Sequence, residues 1–384
     1  MSLFSSFLSP RPPRCLYKTP HLTHSFTHQP HFHMYSLPVA AAAILASTSL
    51  VAGHGQINRV QHGGASNTGP NIYYSGDSAN SKTATRMMYK ASSPSYVLFD
   101  SFTDNSKMSC EGSSKSPAPN TISVAAGEEI DIYWEGATSE LKGKAGTGSL
   151  TAYNPWVHAM GFVFDYITSC NGDCSTFDAT NAGWTKIAHG GIDTSKSISS
   201  ELRATMKGKP EEYFPTSGPG LWAMAKLVEN GSKWSIKIPS SLKSGQYMIR
   251  HELAAVHNPK TGDPTTGPQL YITCIQLDVT NGGDMSLPTG TQAKSLYRPD
   301  GAFANINVYS DSFNPASVEI PGPAVWDGVS SSVDDRSKRM PRSSSTPSSS
   351  TNSKPCRHNT TKSKRTPKRS HNEPLRRAQQ NHLS

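Results

Sequence analysis

Apolar and polar residues alternate along several stretches in the middle of the chain. Residues 130–135, 234–238 and 247–253 place apolar or ring-bearing side chains at every second position, and 270–275 is also strand-like. Side chains two apart share one face of a strand, so the pattern predicts strands with one buried face. Turn-forming residues are dense, with 30 Gly and 28 Pro, and only residues 200–206 are predicted to form a short helix. The class that fits is all-β, an immunoglobulin-like antiparallel β-sandwich with long loops.

The most apolar run of the chain lies near its amino end, at residues 37–51, and small residues follow it. A membrane span needs about 20 residues, and this run is shorter, as in a secretory signal. We therefore predict a signal peptide at residues 34–53, cleaved before His54, although a cut after Ala52 fits nearly as well. Residues 1–33 are rich in Pro, His and Ser, and we interpret them as an extension of the gene model; a genuinely long amino-terminal region is the alternative.

The formal charge of +9 belongs to the two ends of the chain. Residues 329–384 carry 13 basic and 3 acidic residues and hardly any apolar ones, whereas residues 54–328 carry 21 basic and 25 acidic residues. The end segment cannot bury enough apolar surface to fold, so we predict a Ser/Thr-rich, basic, disordered tail after one domain at 54–328. For that domain we expect no nucleic-acid partner, no stable membrane association and a monomeric state.

Four of the six cysteines lie inside the predicted domain. Secretion permits disulfides, and four cysteines allow three pairings between which the sequence does not decide. Spacing favours a long-range bridge from Cys110 to Cys274 and a short loop closed by Cys170 and Cys174. A zinc site is the competing interpretation, but a lone C-x3-C without a second cysteine pair is weak support for it.

One of the domain's six histidines would become the amino terminus if the signal is cleaved as predicted. A terminal histidine offers both a free amine and an imidazole, and one more imidazole completes a planar set of three nitrogens, which suits Cu(II). A terminal histidine can also be structurally idle, and the residues alone leave both interpretations open. The six histidines are His54, His62, His158, His189, His251 and His257.

Short motifs follow one another in a definite order along residues 54–328. They are His54-Gly55; Ala125-Ala126-Gly127 before a strand ending at Trp134; His158 ahead of Gly161; Cys170-Asn171-Gly172-Asp173-Cys174; Ser244-Gly245-Gln246-Tyr247; Arg250-His251-Glu252 with His257; Gln269-Leu270-Tyr271 before Cys274; and Ile320-Pro321-Gly322-Pro323. This ordered set resembles the fungal lytic polysaccharide monooxygenases of auxiliary activity family 9, once classed as weak glycoside hydrolases. Each motif is weak alone, and the resemblance spans essentially the whole domain.

The resemblance implies one copper ion per domain. His54 would supply its amine and its imidazole, His158 the third nitrogen, and Tyr271 a distant axial oxygen. His257 and Gln269 would orient a bound oxygen species, so the implied catalytic set is His257, Gln269 and Tyr271. The residues themselves agree in part, since Gln269 and Tyr271 are two apart on a predicted strand and share a face. Ordinary structural roles for Tyr271 and His257 are the alternative.

The implied activity is oxidative cleavage of glycosidic bonds in cellulose or a related polysaccharide. It would need an external electron donor, either a small reductant or a redox enzyme, and O2 or H2O2 as co-substrate. The sequence leaves open C1 or C4 attack and glycosylation at Asn230.

Two departures from the family pattern bear on the substrate face and on the second ligand. Family members commonly have a tyrosine before the last Pro-Gly-Pro, where this chain has residues 317–319, Ser-Val-Glu. Tyr73 and Tyr74 are the candidate aromatics for the substrate face, with core packing the alternative for one of them. The run after His158 also lacks the usual Gly-Pro-Val.

Three other functions compete with this one. A conventional glycosidase needs two carboxylic groups flanking the bond, and no such pair stands out. A zinc protease is suggested by His251-Glu252, yet the H-E-x-x-H pattern fails because residue 255 is alanine. A secreted copper-binding or carbohydrate-binding β-sandwich without catalysis is the serious rival.

Overall fold

Two β-sheets packed face to face form the body of the protein. The computed structural model describes residues 55–87, 96–136, 155–206 and 220–328. The predicted signal peptide, His54 and the predicted tail lie outside these ranges. The strands are β1 (Gly55–His62), β2 (Ala65–Thr68), β3 (Ile122–Ala125), β4 (Glu129–Gly136), β5 (Gly161–Ser169), β6 (Gly183–Gly190), β7 (Ile192–Asp193), β8 (Leu221–Trp222), β9 (Lys233–Lys237), β10 (Gly245–Ala255), β11 (Gln269–Thr280) and β12 (Thr291–Gln292).

One sheet has four strands in the order β2-β1-β4-β9, and the other has six in the order β12-β6-β5-β10-β11-β3. Strands β7 and β8 form a small separate ribbon. Neighbouring strands run antiparallel, except that β3 runs parallel to β11. This arrangement confirms the predicted β-sandwich, and it places β5, β10 and β11 side by side at the centre of the larger sheet.

The alternating stretches of the sequence are strands in the structure. They form β4, β9, β10 and β11, and residues 200–206 form the predicted helix. No alternating stretch predicted β1, β5 or β6, and two short helices were not predicted either. The helices are α1 (Asn105–Cys110), α2 (Ser200–Met206) and α3 (Ala223–Glu229).

Two disulfides close the fold, in the pairing that spacing favoured. Cys110 at the end of α1 is bonded to Cys274 on β11, across 164 residues of sequence. Cys170 and Cys174 close a short loop after β5. The zinc interpretation of these four cysteines is therefore wrong. Within the described ranges no helix is long and apolar enough to cross a lipid bilayer.

Candidate functional site

Three strand ends meet at one end of the six-stranded sheet. Strand β5 begins at Gly161, β10 ends at Ala255, and β11 begins at Gln269. Ala255 is the register partner of both Gly161 and Gln269, because β10 lies between two antiparallel neighbours. The residues just before β5, just after β10 and at the start of β11 are therefore brought together.

His158 and Tyr271 are in direct contact at this end of the sheet. The His158 Nε2 atom lies 3.0 Å from the Tyr271 hydroxyl oxygen, and the Tyr271 hydroxyl donates to Gln269 Oε1 at 2.9 Å. All three side chains are buried. Because the hydroxyl hydrogen points to Gln269, the phenol oxygen accepts the Nε2–H of His158. Binding a metal through Nε2 would require the other imidazole tautomer, with the hydrogen on Nδ1.

His257 covers the second face of the same site. Its ring stacks on that of His158, with ring centroids 4.1 Å apart and planes inclined by 19°. It follows the end of β10 by two residues and is half-buried. Four of the five predicted site residues are thus adjacent, although they come from three different segments of the chain.

Two tryptophans that the sequence analysis did not assign to the site form its inner wall. The Trp156 ring meets Tyr271 edge-on at 4.8 Å between centroids and His158 at 5.5 Å. Trp134 packs on the other side of Trp156, at 4.9 Å. Trp156 precedes His158 by two residues, and this proximity was the signal that could have identified Trp156 as part of the site.

Ser232 holds both tryptophans by their backbones. Its hydroxyl accepts the N–H of Trp156 at 2.7 Å, and its carbonyl accepts the N–H of Trp134 at 2.9 Å. It is buried, and its φ of 62° lies in the left-handed region. A turn far away in sequence therefore fixes the wall of the site.

The fifth predicted residue, His54, lies outside the described residues, but its covalent neighbour Gly55 reaches the same wall. A Cβ atom at Gly55 would stand 2.7 Å from the Trp156 ring and closer still to the carbonyl oxygen of Glu135. Only glycine permits this approach. The Tyr73 hydroxyl donates to the Gly55 carbonyl at 3.4 Å, which further fixes the strand. Since Trp156 contacts Gly55, His158 and Tyr271, the chain enters β1 beside the His158–Tyr271 pair.

The donor atoms at this place fit a copper site that is completed from elsewhere in the chain. His158 presents one imidazole nitrogen and Tyr271 one phenol oxygen at a common point. Among the described residues, no group of three or more His, Cys, Asp or Glu side chains could hold a metal by itself. Tyr96 meets the Tyr271 ring at 5.8 Å, and burial raises the pKa of the Tyr96 phenol.

Several other side chains that the sequence analysis considered have structural roles. Tyr73 is only 2 % exposed, so its place on a substrate face is wrong and core packing is its role. Tyr74 is partly exposed and lies over Gly76. His251 and Glu252 are fully buried; His251 contacts Asp165, and Glu252 forms an ion pair with a neighbouring arginine. The suggested metalloprotease pair is part of the core.

Comparison with known proteins agrees with this architecture. The family model of Auxiliary Activity family 9 (formerly GH61) matches residues 54–317. A lytic polysaccharide monooxygenase of this family from Malbranchea cinnamomea is 30 % identical over 296 residues, which cover 77 % of this chain and 100 % of the relative. The solved structure of Cel61B from Hypocrea jecorina is 28 % identical with a TM-score of 0.52, covering 71 % of this chain and 100 % of that one. The extended catalytic domain of LPMO9A from the same fungus is 26 % identical with a TM-score of 0.54, covering 73 % and 94 %.

The fold and these matches define a lytic polysaccharide monooxygenase, an oxidoreductase that cleaves polysaccharides. The chain belongs to Auxiliary Activity family 9.

Proposed function

We propose that this protein is a secreted, copper-dependent monooxygenase that oxidatively cleaves cellulose or a related β-glucan. The observation that carries the proposal is the 3.0 Å approach of His158 Nε2 to the Tyr271 hydroxyl beside the first residue of β1. An imidazole nitrogen and a phenol oxygen face each other at a buried position next to the start of β1. Such a pair suits a copper centre that a terminal histidine completes. The family match that begins at residue 54 supports the same starting point for the mature chain.

In this proposal one copper ion is held by three nitrogens and a distant oxygen. His54 would contribute its α-amine and its imidazole, His158 would contribute Nε2, and Tyr271 would contribute the more distant phenol oxygen. Copper held there would supply the redox chemistry of the reaction, for which an external electron donor and O2 or H2O2 as co-substrate are needed.

The side chains around the ligands act by orientation. Gln269 accepts the Tyr271 hydroxyl hydrogen, so the phenol oxygen is aimed and its rotation is restricted. His257, stacked on His158, keeps that imidazole in one plane and offers a polar edge to the co-substrate. We assign to His257 and Gln269 the role of holding the oxygen co-substrate by hydrogen bonds. The tryptophan wall excludes water from behind the ligands.

Export and the partners outside the cell complete the proposal. Residues 34–53 would direct secretion and be removed before His54, and residues 329–384 would be a tail that copper binding does not need. The protein would act extracellularly as a monomer, with a small reductant or redox enzyme as electron donor. Its partner would be the polysaccharide and neither nucleic acid nor a membrane.

A secreted protein of this kind would also carry an N-linked glycan at Asn230. The sequence Asn230-Gly231-Ser232 is an acceptor for N-glycosylation. Asn230 is exposed just after α3, at the turn that leads into β9, which is an edge strand of the four-stranded sheet among the described residues. A glycan there would lie beside this edge strand, and an exposed edge strand can otherwise pair with another chain.

The test uses protein that starts at His54, incubated with cellulose, copper and ascorbate, followed by mass spectrometry of the soluble products. We expect oxidised oligosaccharides from the wild type, none from His158→Ala, and wild-type products from His62→Ala. His62 is the matched control because it lies at the far end of β1, next to Glu128. Copper binding without oxidised products would instead favour a non-catalytic copper-binding or carbohydrate-binding protein.

A further inference from the structure

A buried carboxylate lies beside the beginning of β1. Glu135 on β4 is 2 % exposed and is the register partner of Gln56. Gln56 Nε2 donates to one carboxylate oxygen at 2.6 Å, and Asn58 Nδ2 donates to the other at 2.8 Å. Both oxygens therefore act as acceptors, which is the role of the ionised form.

The two amides that bind Glu135 are themselves held in place. The N–H of Ile72 donates to Gln56 Oε1 at 2.9 Å, so the Gln56 amide cannot turn over without placing a donor against a donor. Asn58 Oδ1 accepts from Arg59 at 2.9 Å. The Glu135 carboxylate is thus the centre of a fixed set of hydrogen bonds at the first residues of β1.

Strand pairing places this negative charge at the first residues of β1. Gln56 and Glu135 are paired strand residues, whose α-carbons lie about 5.5 Å apart, and the Glu135 carbonyl lies against Gly55, the residue before Gln56. A unit charge about 10 Å from a metal ion, at an effective dielectric constant of about 20, changes a binding constant roughly tenfold for each unit of metal charge. Cu(II) carries one more unit of charge than Cu(I) and gains more.

We propose that Glu135 is a positioning residue of the copper site that also sets the preference of the site for Cu(II) over Cu(I). This proposal rests on the proposed function. Glu135 acts on the metal through β1, which it anchors by Gln56 and Asn58, and through its charge. It needs no direct contact with the ion.

The experiment compares the dissociation constants of Cu(II) and Cu(I) in protein that starts at His54, measured by competition with chelators of known affinity. Glu135→Gln removes the charge at nearly constant volume, and Glu135→Asp disturbs the same hydrogen bonds but keeps the charge. Glu129→Gln is the matched control, because it removes a carboxylate from an exposed position on the same strand. The electron paramagnetic resonance spectrum of the Cu(II) form reports whether the ligand set is intact.

We expect Glu135→Gln to weaken Cu(II) relative to Cu(I) by about tenfold with its three-nitrogen spectrum retained, and Glu129→Gln to stay within twofold of the wild-type ratio. Glu135→Asp should lie nearer the wild type than Glu135→Gln. If Glu135→Gln does not fold, Glu135→Ala takes its place as the variant without the charge: a tenfold shift of the ratio supports the proposal and an unchanged ratio overturns it. An unchanged ratio in folded Glu135→Gln overturns this proposal alone. Wild-type protein that binds no copper overturns the proposed function and this proposal together.

Discussion

Trp134 on β4 donates its indole N–H to Nε2 of His251 on β10 over 3.0 Å, and this bond joins the two sheets inside the core. His251 Nδ1 lies 2.7 Å from one oxygen of Asp165, and the indole N–H of Trp234 donates to the other oxygen at 2.9 Å. Since Nε2 accepts, the imidazole hydrogen is on Nδ1 and points to the carboxylate. Trp134, which packs on Trp156 behind the candidate site, is therefore oriented by a buried relay of hydrogen bonds from His251 and Asp165 on the other sheet.

Replacing His251 should destabilise the fold more than replacing any exposed histidine. His251→Phe would leave the Trp134 N–H without an acceptor and take one donor from the buried Asp165 carboxylate. We expect a loss of about 2–4 kcal/mol in the free energy of unfolding, measured by urea denaturation. His62→Ala, which loses contacts only at the partly exposed end of β1, should change it by less than about 1 kcal/mol. Equal effects of the two substitutions would mean that the relay contributes no stability.

A single residue left in front of His54 should abolish the proposed copper site. In protein that begins at Gly53 every imidazole is present, but the α-amine of His54 has become an amide, which offers the metal no basic lone pair. A free α-amine has a pKa of about 8 and gives up its proton to a metal at modest cost. We expect calorimetric titration to show much weaker copper binding and the product assay to show no oxidation. Full activity in the extended form would show that the amino-terminal ligand does not exist.

Gln269→Ala should separate copper binding from turnover. The substitution removes the acceptor of the Tyr271 hydroxyl at the beginning of β11 and touches neither proposed nitrogen ligand. Copper affinity should stay within about threefold of the wild type while the rate of product formation falls by at least tenfold. Gln269→Glu, which keeps an acceptor in place, serves as the comparison. A parallel loss of affinity and rate in Gln269→Ala would identify Gln269 as a structural residue.

The stability of the fold should rise with pH because of Lys186. This side chain on β6 is 1 % exposed and donates to the Pro321 carbonyl at 2.7 Å. Burial lowers its pKa from the usual 10.5 to about 8, although nearby Glu252 partly offsets the effect. Between about pH 8 and 10.5 the unfolded chain therefore binds more protons than the folded one, and the free energy of unfolding increases by up to about 3 kcal/mol. Below about pH 8 Lys186 is protonated in both states, so this increase in the free energy of unfolding is absent and the full cost of burying the charge remains.

The comparison for this prediction is Lys186→Met, which fills similar volume without a titrating group. Urea unfolding between pH 7.5 and 10.5 gives the free energy of unfolding of both proteins. As the pH rises, this free energy should increase in the wild type relative to Lys186→Met. Parallel curves would mean that Lys186 has an ordinary pKa in the folded protein.

Alternation along the sequence identified β4 and β9 and also the largely buried β10 and β11, but it did not identify β6. Strands β4 and β9 face the core on one side, so their alternation is visible, whereas β6 hides its pattern because Lys186 is buried among apolar residues. The two missed helices are six and seven residues long, too short for a clear helical period. The hydrogen bonds of Glu135 to Gln56 and Asn58 join β4 to β1, and no local pattern in the sequence reveals such a contact between strands.

The conformation of Ser232 restricts which residues this position accepts. An N-glycosylation acceptor needs serine or threonine in its third place. Threonine would be strained at a φ of 62°, because β-branched residues rarely adopt left-handed backbone. Glycine would suit that backbone but has no hydroxyl for the Trp156 N–H and would end the acceptor sequence. Serine is the one residue that meets all three requirements, so a protein that carries the proposed glycan and keeps the tryptophan wall admits no neutral substitution at Ser232.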